Sequence, residues 1–194
     1  SNATVEGKQL NPKDYAASLG IKADDYVEIS SFTHHPFYKP FVLEVPDNWA
    51  WNMVYNVQLD EMEQIVDNAL NNGYTVAWAS DVSEPGFSHR SGLAIVPDAD
   101  WSEVTKEMKE AAFKKPVAQK TITQEMRQEG FNNLSTQDDH GMHIVGMAKD
   151  QNGTKYYIVK NSWGPDNNDC GGYFYCSASY LRYKTTCILV HKKS

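Results

Sequence analysis

The chain has 194 residues, 41% hydrophobic and 12% aromatic, which suits one ordinary globular domain or two small ones and excludes disorder over the whole length. Its apolar runs, such as Val76-Ala77-Trp78-Ala79 and Ile188-Leu189-Val190, have strand length, far short of the ~20 residues that span a bilayer, so no membrane segment is expected. Lys plus Arg is 18 against 25 Asp plus Glu, a formal net charge of −7; this field repels phosphate backbones, and nucleic acid is not an expected partner.

Ser1-Asn2-Ala3 reads as the scar of a cleaved expression tag, so residues 1–3 are set aside and 4–194 are treated as one α+β unit without repeat, linker or low-complexity tract. At Asn11-Pro12-Lys13-Asp14 a short helix starts, with Asn as cap and Pro in the first turn, and Gly20 stops it. Residues 26–32 and 41–45 are rich in β-formers and predict two strands, joined by an aromatic loop around His34-His35-Pro36-Phe37. Apolar residues at three- and four-residue spacing predict a helix over 59–72 that ends at Gly73. A buried strand follows over 74–79, with a turn at Ser83-Glu84-Pro85-Gly86. Two more helices are predicted: 101–113, which Pro116 must end, and 123–131, with Thr121 or Thr123 as cap. Beyond residue 141 the pattern is β. Strands over 142–148 and 155–160 flank Asp150-Gln151-Asn152-Gly153, where Asn and Gly both tolerate positive φ, and strands over 173–176 and 187–190 flank a short helical stretch over 177–182.

The three thiols, Cys170, Cys176 and Cys187, all follow residue 169, and an odd number so placed does not suggest a disulfide framework. The chemistry is carried elsewhere. Asp139-His140-Gly141-Met142 opens one strand of the predicted hairpin, and Lys160-Asn161-Ser162-Trp163-Gly164 closes its partner. A hairpin folds these ends together, which puts the His140 imidazole within reach of the Asn161 amide. An amide oxygen that accepts from one imidazole N–H fixes which ring nitrogen faces a nucleophile, and the Trp163 indole beside that bond keeps water from it.

The blocks Asp139-His140-Gly141-Met142-His143-Ile144-Val145-Gly146, Tyr157-Ile158-Val159-Lys160-Asn161-Ser162-Trp163-Gly164 and Gly172-Tyr173 resemble the His and Asn blocks of papain-like cysteine peptidases. The earlier stretch, with Phe37-Tyr38 before a strand, Val57 leading into a helix and Gly73 through Ser83, resembles the bleomycin hydrolase and aminopeptidase C branch. The resemblance implies an α+β fold: a barrel-like antiparallel sheet with flanking helices, the C-terminal lobe of a papain-like enzyme. It implies His140 as general base and acid, Asn161 as orienter, Trp163 as shield and Asp139 as a flanking residue of the cleft.

The family's chain order is Cys, His, Asn, and here no Cys or Gln…Cys-Trp motif precedes His140. The nucleophile and oxyanion donor are therefore expected on an N-terminal lobe in cis that this sequence lacks, with the present chain inactive alone. Resemblance further implies a peptide substrate, a homo-hexamer and a cytoplasmic location, with no cofactor and no metal. The chain ends soon after its last predicted strand, so a C-terminal arm that would restrict cleavage to peptide N-termini is not expected.

Other readings compete with these. His140, His143, Cys170 and Cys176 are ligand types for zinc, but Cys-x5-Cys is wider than the usual spacing, and His143 points away from His140 on a strand. His143 is read as structural, and His34, His35 and His89 as loop residues. A Cys170–Cys176 disulfide competes with burial of Cys176 as a small hydrophobe. Trp49 and Trp51 are assigned to core or lobe-interface packing rather than a substrate groove. The alternative function is a non-catalytic binding or assembly module that kept the lobe and lost its nucleophile.

Overall fold

The computed structural model describes residues 2–194; Ser1 of the tag reading lies outside the described residues. The chain opens with a hairpin of β1 (Ala3–Val5) and β2 (Lys8–Leu10), in which Ala3 pairs with Leu10, so the residues set aside as a scar begin an element. Helix α1 (Pro12–Ser18) is capped by Asn11, whose Oδ1 accepts from the Asp14 N–H at 2.9 Å. None of the residues in β1, β2 or α1 is fully buried. A 3-10 turn at Ala23–Asp25 then leads into β3 (Tyr26–Ser30).

Next come β4 (Pro40–Val42), β5 (Met53–Asn56), α2 (Leu59–Asn71) and β6 (Val76–Ser80). The short strands β7 (Phe87–Ser88) and β8 (Leu93–Ala94) are followed by α3 (Lys106–Ala112) and α4 (Gln124–Asn132). The long hairpin β9 (His140–Lys149) and β10 (Lys155–Lys160), then β11 (Tyr173–Ser177), α5 (Ala178–Lys184) and β12 (Thr185–His191), complete the chain. Ten strands form one sheet in the order β4-β5-β3-β12-β6-β9-β10-β11-β8-β7, antiparallel except for β3 with β5 and β11 with β8. The class is α+β, as expected.

The sheet curls around its core. Trp78 on β6 and Phe174 on β11 are three ladder steps apart, about 14 Å in a flat sheet, yet their ring centroids lie 6.4 Å apart. Helix α2 lays Leu59, Met62, Val66 and Ala69 against this hollow beside Tyr180 and Leu181 of α5. Charged groups tie the layers. Lys155 on β10 reaches Glu63 and Asp67 of α2 at 2.5 and 2.7 Å, Tyr157 donates to Asp67 at 2.7 Å, and Arg182 of α5 holds Glu63 at 2.8 Å.

One irregularity sets up everything at the mouth of the long hairpin. Ile158 faces Gly146 but Val159 faces Ile144, so Val145 is an extra residue on β9, a bulge. A bulge resets the alternation of side chains. Met142 and Ile144, even-numbered, therefore share the buried face with odd-numbered Tyr157 and Val159 of the partner strand.

Several elements differ from the sequence expectation. The predicted helix over 101–113 is only Lys106–Ala112, because Asp100 Oδ1 accepts from the Ser102 N–H (2.8 Å) and hydroxyl (2.7 Å), a side-chain turn that competes with helix, and Thr105 caps the true start. Trp101 instead stacks on Phe113, at 6.1 Å and 19°. In the β9–β10 turn only Gly153 has positive φ (84°), while Asp150 Oδ1 accepts from the N–H groups of Asn152 and Thr154. Trp49 and Trp51 are 84% and 71% exposed, so they are not core residues of this chain. The cysteines are free, with Cys176 buried on β11.

Candidate active site

His140 is the first residue of β9, and Asn161 directly follows β10. Their side chains meet across the hairpin, with Nε2 of His140 2.7 Å from Oδ1 of Asn161. Which end of an amide is oxygen is settled by what donates to it: the Ser162 backbone N–H, which can only donate, lies 2.7 Å from the same atom. The His140 proton is therefore on Nε2, and Nδ1 keeps the lone pair. Asn161 is buried at 6% exposure, and its own N–H donates to Gly172 O at 3.2 Å, which anchors it to the start of β11.

Trp163 packs on this bond. Its ring centroid is 4.7 Å from that of His140 at 33°, and it also meets the edges of Phe87 (5.8 Å, 87°) and His89 (5.1 Å, 71°). The indole is 48% exposed, so it covers one side of the His–Asn pair and leaves its own outer face free. Asp139 does not touch the imidazole by hydrogen bond; it accepts from the N–H groups of Val82 (2.9 Å) and Ser83 (3.3 Å), and so ties the exit of β6 to the entry of β9.

Beneath Asp139 lies a buried charged group absent from the sequence expectation. Asp81 accepts from Ser83 N–H (2.9 Å) and Gln137 N–H (2.8 Å), and Lys184 pairs with Glu84 at 2.6 Å. Burial holds the Asp81 and Glu84 carboxyls above the usual carboxylate range. The approach to His140 is thus fixed on both sides by side-chain bonds to backbone.

The remaining predicted ligand types are dispersed. His143, on the opposite face from His140, bonds Thr75 Oγ1 at 2.6 Å. No cluster of three or more His, Cys, Asp or Glu residues suited to a metal occurs among the described residues. Burial pushes the Cys187 thiol up to about 12 and the Cys176 thiol well above its ordinary value, and Cys170 is raised as well, with Asp169 adding to the effect. All three are held as thiols, the unreactive form. An open hollow of about 640 Å³ reaches Asn161 and Ser162 and is lined also by Ala77, Ala79, Gly141, His143 and Lys160.

Two further residues lie at the site: His89, read from the sequence only as a loop residue, whose Nδ1 lies 3.4 Å from Nδ2 of Asn161, and Asn168, absent from the sequence reading, which bonds His89 O and Gly172 N–H. Neither carries a motif, and both contacts join segments distant in sequence.

An imidazole whose proton is assigned by a buried, backbone-locked Asn thus sits at the mouth of a curled sheet. The chain belongs to the Peptidase C1-like family, whose model matches residues 2–194. Its fold is similar to that of PepW from Lactobacillus rhamnosis HN001, with a TM-score of 0.70 at 20% identity over 96% of this chain. Short segments are similar to thiol protease SEN102 of Hemerocallis sp. (53% identity over 36 residues, 19% of this chain) and cysteine proteinase 3 of Dictyostelium discoideum (70% over 27 residues, 14% of this chain). The chain spans 40% of the length of PepW, and these segments span 10% and 8% of the two proteases.

Proposed function

We propose that this chain supplies the base and orienter of a Cys-His-Asn peptidase whose thiol lies on sequence outside these 194 residues. The observation that carries the reading is the 2.7 Å bond from His140 Nε2–H to Asn161 Oδ1, with the amide orientation fixed by Ser162 N–H. In this arrangement Nδ1 of His140 is the nitrogen that takes the thiol proton. The thiolate then attacks the scissile carbonyl, and the imidazolium returns its proton to the leaving amine. An acyl-enzyme remains, and His140 next deprotonates the water that hydrolyses it. Asn161 keeps the tautomer correct and accepts from the imidazolium, while Trp163 excludes water from that bond.

Peptides are the substrate class, with aminopeptidase preference by resemblance to the bleomycin hydrolase branch. The isolated chain is inert in this reading: aminoacyl fluorogenic substrates stay uncleaved, and E-64-sensitive turnover by the 194 residues alone would overturn it. In the full-length protein, His140→Ala lowers kcat/KM by about 10²–10⁴-fold. Activity retained in that variant would remove His140 from the reaction. Sedimentation of the full-length protein tests the homo-hexamer that the same resemblance implies.

A further inference from the structure

A second histidine touches the proposed site. With Oδ1 of Asn161 assigned to His140 and Ser162, its Nδ2 is the atom 3.4 Å from His89 Nδ1. An amide nitrogen only donates, so the ring nitrogen facing it carries the lone pair, and the His89 proton sits on Nε2. That Nε2 is buried and has no hydrogen-bond partner. A buried imidazole with an orphaned N–H is a poor packing choice and calls for another reason. The reason is visible in what its other nitrogen does. One amide is held between two imidazoles, and one indole, Trp163, touches both rings.

The backbone around His89 is indexed to Asn161 by a single side chain. Asn168 Nδ2 donates to His89 O (2.6 Å) and Tyr173 O (3.1 Å), and Asn168 Oδ1 accepts from the N–H groups of Cys170 (2.8 Å) and Gly172 (2.7 Å). Gly172 O in turn accepts from Asn161 N–H. The loop that carries His89 and the turn that carries Asn161 therefore share one clamp.

We propose that His89 is a positioning residue for the base, acting through the Asn161 amide; this rests on the reading of His140 as base. A flipped amide would offer Nδ2 to His140, which would then have to keep its proton on Nδ1, the nitrogen that must accept from the thiol. Ser162 N–H holds the oxygen end against that flip, and His89 holds the nitrogen end.

The test uses imidazole nitrogen shifts and side-chain amide exchange in the ¹⁵N-labelled chain near neutral pH. In the unmodified protein both His89 and His140 are expected as the Nε2–H tautomer. His89→Phe keeps an aromatic edge on Trp163 but removes the acceptor: Asn161 Nδ2 protons exchange about fivefold faster, the loss of one ordinary hydrogen bond, and His140 becomes a tautomer mixture. His89→Gln, with a carbonyl in reach, returns both signals toward the unmodified ones. A His89 proton on Nδ1 in the unmodified protein overturns the proposal without any variant, as do exchange and tautomer unchanged in His89→Phe. His140 found with its proton on Nδ1 in the unmodified protein sinks the base reading itself, so the two failures give different spectra.

Discussion

Asn161 does with one amide what no other residue here could do: its oxygen accepts from an imidazole and a backbone N–H while its nitrogen still has a donor to place. That His140 and Asn161 meet was legible from hairpin logic, because they stand at facing ends of adjacent strands. His89 and Asn168 were not, since their contacts cross 72 and 79 residues and depend on where loops return, which no local pattern records. A nearby carboxyl offers a separate measurement. Burial holds Asp138 above the usual carboxylate range, against the Thr186 hydroxyl that donates to it at 2.7 Å, with Asp47 and Asp139 adding repulsion. A carboxyl raised in the folded state contributes stability that is complete below its unfolded pKa and is lost as pH rises through the folded value. Melting temperatures are therefore expected to rise on mild acidification from neutral pH toward 5. Asp138→Asn raises the neutral-pH melting temperature and flattens that slope; a slope unchanged in the variant would refute the assignment.

Among the elements, α2 was read with the correct face because its apolar spacing meets a core that wants a helix, and α4 because Thr123 is a genuine cap, its hydroxyl accepting from Met126 N–H at 3.3 Å. Thr123→Ala is expected to cost about 1 kcal/mol in denaturant unfolding. Strand β5 escaped notice for a specific reason: its buried alternate positions are Val54 and Asn56, and the polar Asn56 breaks the apolar alternation that a strand is recognised by. Asn56 is inside because it satisfies the loop after β3, accepting from Phe32 N–H (2.9 Å) and donating to the carbonyls of Phe32 (2.8 Å) and His35 (3.0 Å). The loop joining β7 and β8 is equally particular. Gly92 has φ +62°, and a Cβ there would overlap Cys170 Sγ. Gly92→Ala should destabilise by about 1–3 kcal/mol and loosen the clamp on His89, visible as faster exchange of the Asn161 side-chain amide.

At the scale of the molecule, the structure has a firm body and a light appendage. The main cluster runs from Ile29 through Trp78 and Phe174 to Val190, so the sheet and its helices should unfold in one transition. The hairpin of β1 and β2 and helix α1 bury no residue fully. Their amides are expected to exchange near unfolded rates while β9 and β10 stay protected, and removing residues 2–10 should move the melting temperature by less than about 2 °C. A larger drop would mean that the appendage is braced by the body. The bulge at Val145 has a consequence for how such proteins are recognised at all. Were Val145 instead paired with Val159 in a regular ladder, with the Ile158–Gly146 pairing kept, Ile144, Met142 and His140 would turn to the opposite face of the sheet and His140 would part from Asn161. The stretches Asp139 to Ile144 and Asn161 to Gly164 would still read letter for letter as before. Motif matching counts letters, whereas the meeting of His140 and Asn161 depends on parity, and a homologue of the same length with a regular ladder here would carry the same letters with the two side chains apart.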